Sequence, residues 1–234
     1  MKAVAGLLAG LFLALPTRTP RSGNLSIAFL YDLTISVTRS PVGSDRQLKR
    51  TLEALTMALR RGDGLRFGIV ARRPYLSDRV VSDGALDVSQ LVPDVPDDDR
   101  RGPSPLWDAL DAAVTRLDAD PLPRAVVLVT DGRSTGNVRG IGQALAHAQA
   151  VGVSISAMVI PIPIPTIVLT APPTGGRGQT DKPLPDPAKT LATLADETGG
   201  MCQYWGGGAC GKPKRGASVD LTSLMATMLE RARK

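Results

Sequence analysis

Four apolar runs of strand length punctuate the chain: "LSIAFLY" at 25–31, "LRFGIVA" at 65–71, "RAVVLVTDG" at 124–132 and "VSISAMVI" at 153–160. Runs with little polar alternation suit strands covered on both faces. Between them the apolar spacing changes to that of a helix. Leu48, Leu52, Leu55 and Leu59 form one stripe, in a segment that opens with Ser44 and Gln47 at capping-box spacing and stops near Gly62 and Gly64. Leu106, Leu110, Ala113 and Leu117 form a second stripe. "GIGQALAHAQAVG" (140–152), "PAKTLATLADETGG" (187–200) and "VDLTSLMATMLERARK" (219–234) read as further helices. "RVVSDG" (79–84) reads as a short edge strand, and "MCQYW" (201–205) as another short strand. This rhythm predicts an α/β domain with a doubly wound, mostly parallel central sheet and helices on both faces. One domain accounts for residues 25–234, with no internal repeat.

Two segments interrupt the rhythm. "PDVPDDDRRGPSP" (93–105) reads as a loop, with Asp97, Asp98 and Asp99 solvated. Residues 161–187, "PIPIPTIVLTAPPTGGRGQTDKPLPDP", are too long and too rich in Pro and Gly for an ordinary strand-to-helix link, and read as an insertion. Its "GGRG" lacks the strand–helix setting of a phosphate cradle.

Composition narrows the picture. Hydrophobic residues make up 43% of the 234 and aromatics only 3%, so the core is built from Leu, Val, Ile and Ala. The formal charge of +6 is scattered apart from "KPKR" at 212–215, and no nucleic-acid-binding motif accompanies it. The first residues, "MKAVAGLLAGLFLALP", place one Lys before an apolar run from Ala3 to Leu15. That run is short for a bilayer span but matches a secretory signal, here taken as residues 1–22, with the cut between Ala14 and Ser22. The expectation is export, to the periplasm or beyond the cell, without a stable membrane span after signal removal. Cys202 and Cys210 flank a Gly-rich loop; an oxidising compartment would join them in a disulfide, with free thiols the alternative. On the loop-entropy argument such a bridge contributes a little under ~3 kcal/mol. With one His in the chain, a Cys/His zinc site is disfavoured. His147, in an Ala-rich helix, reads as structural.

The candidate chemistry lies in three separated stretches. Asp32, Thr34 and Ser36 in "YDLTISVTRSP" alternate with Leu33 and Ile35, and in an extended chain alternate side chains share a face. Ser104 in "GPSPLWDAL" stands at a helix entrance, and Asp131 in "VVLVTDG" at a strand end. In a doubly wound sheet, ligands gather beyond the carboxyl ends of the strands. A polar turn capped by local hydrogen bonds is the other reading of "DLTIS".

Together these stretches resemble the von Willebrand factor type A domain and its metal-ion-dependent adhesion site. "DLTIS" is similar to that family's D-x-S-x-S, with Thr34 in place of the first Ser. "GPSPLWDAL" resembles G-T-x-L-x-D-A-L with Ser104 in the Thr position, and "LVTDG" supplies Asp131. "LATLADETGG" is similar to the penultimate helix. The resemblance runs from Leu25 to Arg233 apart from the insertion. It implies a divalent cation held by Thr34, Ser36 and Ser104, with Asp32 and Asp131 acting through water or by holding those hydroxyls. Ser104 would be the ligand sensitive to an open or closed state.

Mg²⁺ suits such oxygens and keeps several waters; Mn²⁺ fits the same donors, and Ca²⁺ with looser geometry. Neutral hydroxyls leave much of the ion's charge unquenched, so an open position favours a Glu or Asp carboxylate from a protein partner. The expected role is therefore binding rather than catalysis. One alternative is a metal-free assembly domain of the same fold. The other is a haloacid-dehalogenase-like phosphohydrolase with Asp32 as nucleophile, although Thr34 stands where that chemistry uses a second acid. Classical serine hydrolysis fares worse still, since the chain has no G-x-S-x-G elbow and its single His lacks a partner. The insertion is expected to border the metal and to help choose partners.

Overall fold

β1 (Ser26–Asp32) is buried at every position, as its unbroken apolar run requires. The computed structural model describes residues 23–38, 45–82, 92, 94–161, 186–212 and 219–234. The signal read at 1–22, nearly all of the insertion, Ser44 of the capping box and most of "KPKR" lie outside them. After β1 come a one-turn helix α1 (Ile35–Thr38), α2 (Asp45–Ala58), β2 (Gly64–Val70), β3 (Tyr75–Leu76) and β4 (Val80–Val81). Then follow α3 (Asp97–Arg100), α4 (Leu106–Asp118), β5 (Arg124–Thr130), α5 (Ile141–Val151) and β6 (Val153–Val159). The described chain closes with α6 (Pro187–Thr198), β7 (Cys202–Tyr204) and α7 (Leu221–Arg233).

The strands form a seven-stranded sheet ordered β3-β2-β1-β5-β6-β7, with β4 also on β2. β1, β2, β5, β6 and β7 run parallel, while β3 and β4 are antiparallel to β2. The doubly wound reading is present, and the described part of the edge strand expected at 79–84 is β4, Val80–Val81. β3 was not foreseen, because two residues carry no period.

Side chains alternate between two cores, one on each face. Ile27, Phe29 and Tyr31 of β1 join Val127 and Val129 of β5 under Leu48, Leu52 and Leu55 of α2 and Met225, Met228 and Leu229 of α7. Ala28, Leu30, Val126 and Leu128 face Leu106, Leu110, Val114 and Leu117 of α4, Ala144 and Ala148 of α5, and Leu191 and Leu194 of α6. Both faces are covered, which explains why these strands show no polar alternation in the sequence. α6 ends on Gly199, whose φ of 78° favours glycine. A Cβ on Gly200 would run into the Ile155 carbonyl, which fixes the second glycine of "ETGG".

The expected loop 93–105 contains α3, and Asp99 is buried rather than solvated. Arg73 Nε donates to both Asp99 oxygens at 3.1 Å, and the Asp99 carbonyl accepts from Arg72 N at 3.0 Å. The turn is thereby fastened beyond the end of β2. His147 has the structural role expected of it: its Nδ1 lies 2.8 Å from Asp111 Oδ1, joining α5 to α4. Cys202 and Cys210 form a disulfide with Cα atoms 5.4 Å apart.

The opposite end of the sheet is closed by a buried ion pair. Asp63 Oδ1 accepts from Leu25 N at 2.7 Å, and Oδ2 accepts from Arg60 N at 2.8 Å. Oδ2 also pairs with Arg233 of α7, whose side chain is 7% exposed. Arg233 also pairs with Glu230 at 2.8 Å, so removing Asp63 leaves a buried charge with one half-exposed partner and the Leu25 and Arg60 amides without this acceptor, a loss of about 3 kcal/mol. Asp63→Ala is therefore expected to lower the urea-unfolding free energy by about that much, and Asp63→Asn by less, since it keeps an acceptor. A loss below about 1 kcal/mol for Asp63→Ala would show that the pair does not hold α7 to the sheet.

Candidate metal centre

β1 and β5 are neighbours in parallel register, Tyr31 opposite Val129, so the residues that end them emerge side by side at the carboxyl edge. β1 stops at Asp32, and the backbone turns into α1 before Ser36. The expected extended alternation of Asp32, Thr34 and Ser36 is therefore absent. Their oxygens meet through the turn instead. Asp32 Oδ1 accepts from Thr34 N at 3.0 Å and from Thr34 Oγ1 at 2.6 Å, and Thr34 Oγ1 lies 3.3 Å from Ser36 Oγ. The local bonds of the polar-turn reading are thus also real, and they aim the hydroxyls.

The other Asp32 oxygen draws in the two remaining stretches. Oδ2 accepts from Thr130 Oγ1 at 2.8 Å and from Ser104 Oγ at 3.4 Å. Thr130 Oγ1 in turn accepts from Gly132 N at 3.0 Å. All five residues singled out from the sequence, Asp32, Thr34, Ser36, Ser104 and Asp131, stand at this edge. Thr130 was missed. Its signal was a hydroxyl at the end of an apolar strand, next to Asp131. Its importance depends on β1 lying beside β5, which the sequence does not display.

Asp131 is 6% exposed. Its Oδ1 accepts from Arg133 N at 2.9 Å, whereas its buried Oδ2 has no hydrogen-bond partner among the described residues. Burial raises its pKa above the usual carboxylate value, against the Arg133 amide, the Ser36 hydroxyl and the Arg133 charge. Asp32 is fully buried, and its pKa is pushed up to about 6. Burial is the largest cause; the Thr34 and Thr130 bonds oppose it, and the Asp131 charge adds to it. The ion pair found here among the described residues is loose, with Arg133 Nε 4.0 Å from Asp131 Oδ2 and the arginine side chain 48% exposed. Among the described residues, these two adjacent buried carboxyls thus lack a close cationic side chain.

The donor set fits a hard divalent cation. Thr34 and Ser104 spend their protons on Asp32, leaving lone pairs available, and Asp131 Oδ2 is an unsatisfied anionic oxygen. No group of three or more His, Cys, Asp or Glu that could hold a metal occurs among the described residues. A cation here would be held mostly by hydroxyls and water.

No protein-family model matches the chain, and no curated protein matches it in sequence. Solved structures do. An aerotolerance-related membrane protein from Bacteroides fragilis, carrying multiple mutations to serine, superposes with a TM-score of 0.57 at 17% identity over 90% of this chain and 98% of its own. A conserved hypothetical protein, BatB from Bacteroides thetaiotaomicron, gives 0.55 at 15% identity over 90% and 98%. A von Willebrand factor type A protein from Catenulispora acidiphila gives 0.56 at 12% identity over 90% of this chain but 42% of its own. The chain has the von Willebrand factor type A fold. At these identities the likeness fixes the fold alone. Within the type A fold, Asp32 ends β1, Asp131 follows the end of the neighbouring β5, and Ser104 stands just before α4.

The buried carboxyls give the metal-free protein a pH signature. In the folded state Asp32 holds its proton up to about pH 6, against the ordinary value of 3.8. The folded state therefore binds more protons than the unfolded one in that window, and stability falls as pH rises through it. Urea midpoints in chelator, taken between about pH 4 and 7, are expected to fall more steeply for the parent than for Asp32→Asn. Parallel curves would contradict the burial of an ionisable Asp32.

Proposed function

We propose that the chain is an exported binding module that holds a divalent cation at the Asp32, Thr34, Ser36, Ser104 and Asp131 cluster and captures a protein partner through a Glu or Asp carboxylate. The observation that carries this reading is Asp131 Oδ2, a buried carboxylate oxygen without a hydrogen-bond partner among the described residues, beside a second buried carboxyl. Thr34, Ser36 and Ser104 would contribute hydroxyl oxygens, with Mg²⁺ the natural ion and Mn²⁺ its substitute. Bound there, the cation supplies an electrophilic seat for a carboxylate. Asp32 spends both oxygens on Thr34, Thr130 and Ser104, so its part is to orient hydroxyls.

That engagement also disfavours the phosphohydrolase reading, since a nucleophilic Asp needs a free oxygen facing substrate, and Asp32 is fully buried. A metal-free assembly domain would leave Asp131 Oδ2 unsatisfied for no return. Export is supported by the signal-like first residues and by the Cys202–Cys210 disulfide. No helix of the described residues is long and apolar enough to cross a membrane. Nucleic acid is not a proposed partner, because the positive charge is dispersed.

Calorimetric titration with Mg²⁺ and Mn²⁺ tests the centre. The parent is expected to bind one ion, and Asp32→Asn and Ser104→Ala to bind at least about 10-fold more weakly while remaining folded. A pull-down from the native envelope should recover a partner that chelator releases. Absence of binding by the folded parent, or unchanged affinity in both variants, would end the reading.

A further inference from the structure

The hydroxyl of Ser104 reaches the cluster from a segment that cannot hold itself in place. Ser104 lies between Pro103 and Pro105, so its own amide is the sole backbone donor of the three. α4 begins at Leu106 behind Pro105, which gives no side-chain cap; Leu106 N turns back to the Ser104 carbonyl at 2.8 Å, while the next amide, Trp107 N, finds its acceptor outside the segment. The bonds that hold Ser104 N and Trp107 N come from one loop, residues 134–139, which follows Asp131.

Thr135 engages both backbone groups of Ser104. Its Oγ1 accepts from Ser104 N at 3.0 Å, and its own N–H donates to the Ser104 carbonyl at 2.8 Å. Ser134 Oγ donates to the same carbonyl at 3.4 Å. Asn137 Oδ1 accepts from Trp107 N at 2.8 Å, capping α4 from outside the helix, while its Nδ2 donates to Ser134 Oγ at 2.6 Å. Asp108 closes the ring from α4, accepting from Val138 N at 2.8 Å and Arg139 N at 2.7 Å. Gly136 takes φ 71°, and a Cβ there would come within 2.7 Å of Pro103 Cβ. Thr135 and Val138 are exposed, Val138 to 93%, so apolar burial does not hold this loop. Directed hydrogen bonds do.

We infer that Thr135, supported by Asn137, is the positioning residue of the metal centre: it fixes the Ser104 backbone so that the Ser104 hydroxyl faces Asp32 and the Asp131 end of β5. The inference deepens the proposed function and rests on it for the metal. Thr135 touches no cation; it acts through Ser104. Because it bonds both the N–H and the carbonyl, the Ser104 loop and the 134–139 loop move as one piece.

Thr135→Val keeps shape and removes the acceptor, and Thr135→Ser restores it. With all proteins folded, Thr135→Val is expected to bind Mg²⁺ about 10-fold or more weakly, and Thr135→Ser to recover parental affinity. A residue that merely stabilised the loop would lower the urea midpoint and leave that affinity unchanged. Crystal structures of the metal-free parent and variants supply the second reading. In Thr135→Val the Ser104 hydroxyl is expected to leave Asp32 Oδ2, and in Thr135→Ser to stay. Ser104 unmoved, or parental affinity retained in Thr135→Val, overturns the inference. A parent that binds no cation while Ser104 still moves in Thr135→Val overturns the proposed function and leaves the positioning role standing.

Discussion

The carboxylate of Asp32 is withdrawn from water at the seam between the two central parallel strands, and it persists there only because each of its oxygens is hydrogen-bonded. Burying such a group without partners would cost several kcal/mol. The partners come from three places: Thr34 in the turn after β1, Thr130 at the end of β5, and Ser104 before α4. Satisfying one buried carboxylate therefore pulls three distant stretches of chain to one point. The Thr34 and Ser104 hydroxyls turn their protons inward and leave lone pairs for something else, whereas Thr130 Oγ1 already accepts from Gly132 N. The same bonds that stabilise Asp32 thus prepare a seat for a cation.

The rest of the fold holds that seam in place. Continuous apolar strands pack helices on both faces, so β1 and β5 are fixed from above and below as well as by their shared ladder. At the far end, Asp63 and Arg233 tie the C-terminal helix to the start of the same β1 strand. What the packing of the described residues does not provide is charge balance at the carboxyl edge. Asp32 and Asp131 are both buried and both have raised pKa values, and Arg133 stands too far out to neutralise them. Protonation relieves that imbalance at low pH; a divalent cation would relieve it at neutral pH.

Much of this was legible in the sequence, for reasons that differ by element. The strand runs were plain because strands buried on two faces must be apolar throughout. Asp32 and Asp131 were found because polar residues at the ends of such runs have little reason to be there unless they are used, and Ser104 because its helix entrance resembles the type A pattern. The internal geometry of "DLTIS" was misread: strand alternation was assumed for Thr34 and Ser36, yet the chain leaves the sheet at Asp32 and turns through α1. Asp99 was taken as solvated because nothing local reveals that Arg73, at the end of β2, folds onto it. Thr130, Thr135 and Asn137 were invisible for the same reason. Each acts on a residue roughly 30 to 100 positions away, and only tertiary structure makes such a pair neighbours.

The most direct test is to locate the ion. Crystals soaked in Mn²⁺, with anomalous data collected near the manganese edge, should show one strong peak within coordination distance of Ser36 Oγ and Ser104 Oγ, with Asp131 alongside. The peak should vanish in crystals of Ser104→Ala. An empty map at the carboxyl edge in well-ordered crystals with Ser36, Ser104 and Asp131 in place, or a peak bound elsewhere, would contradict a cation seat at this cluster.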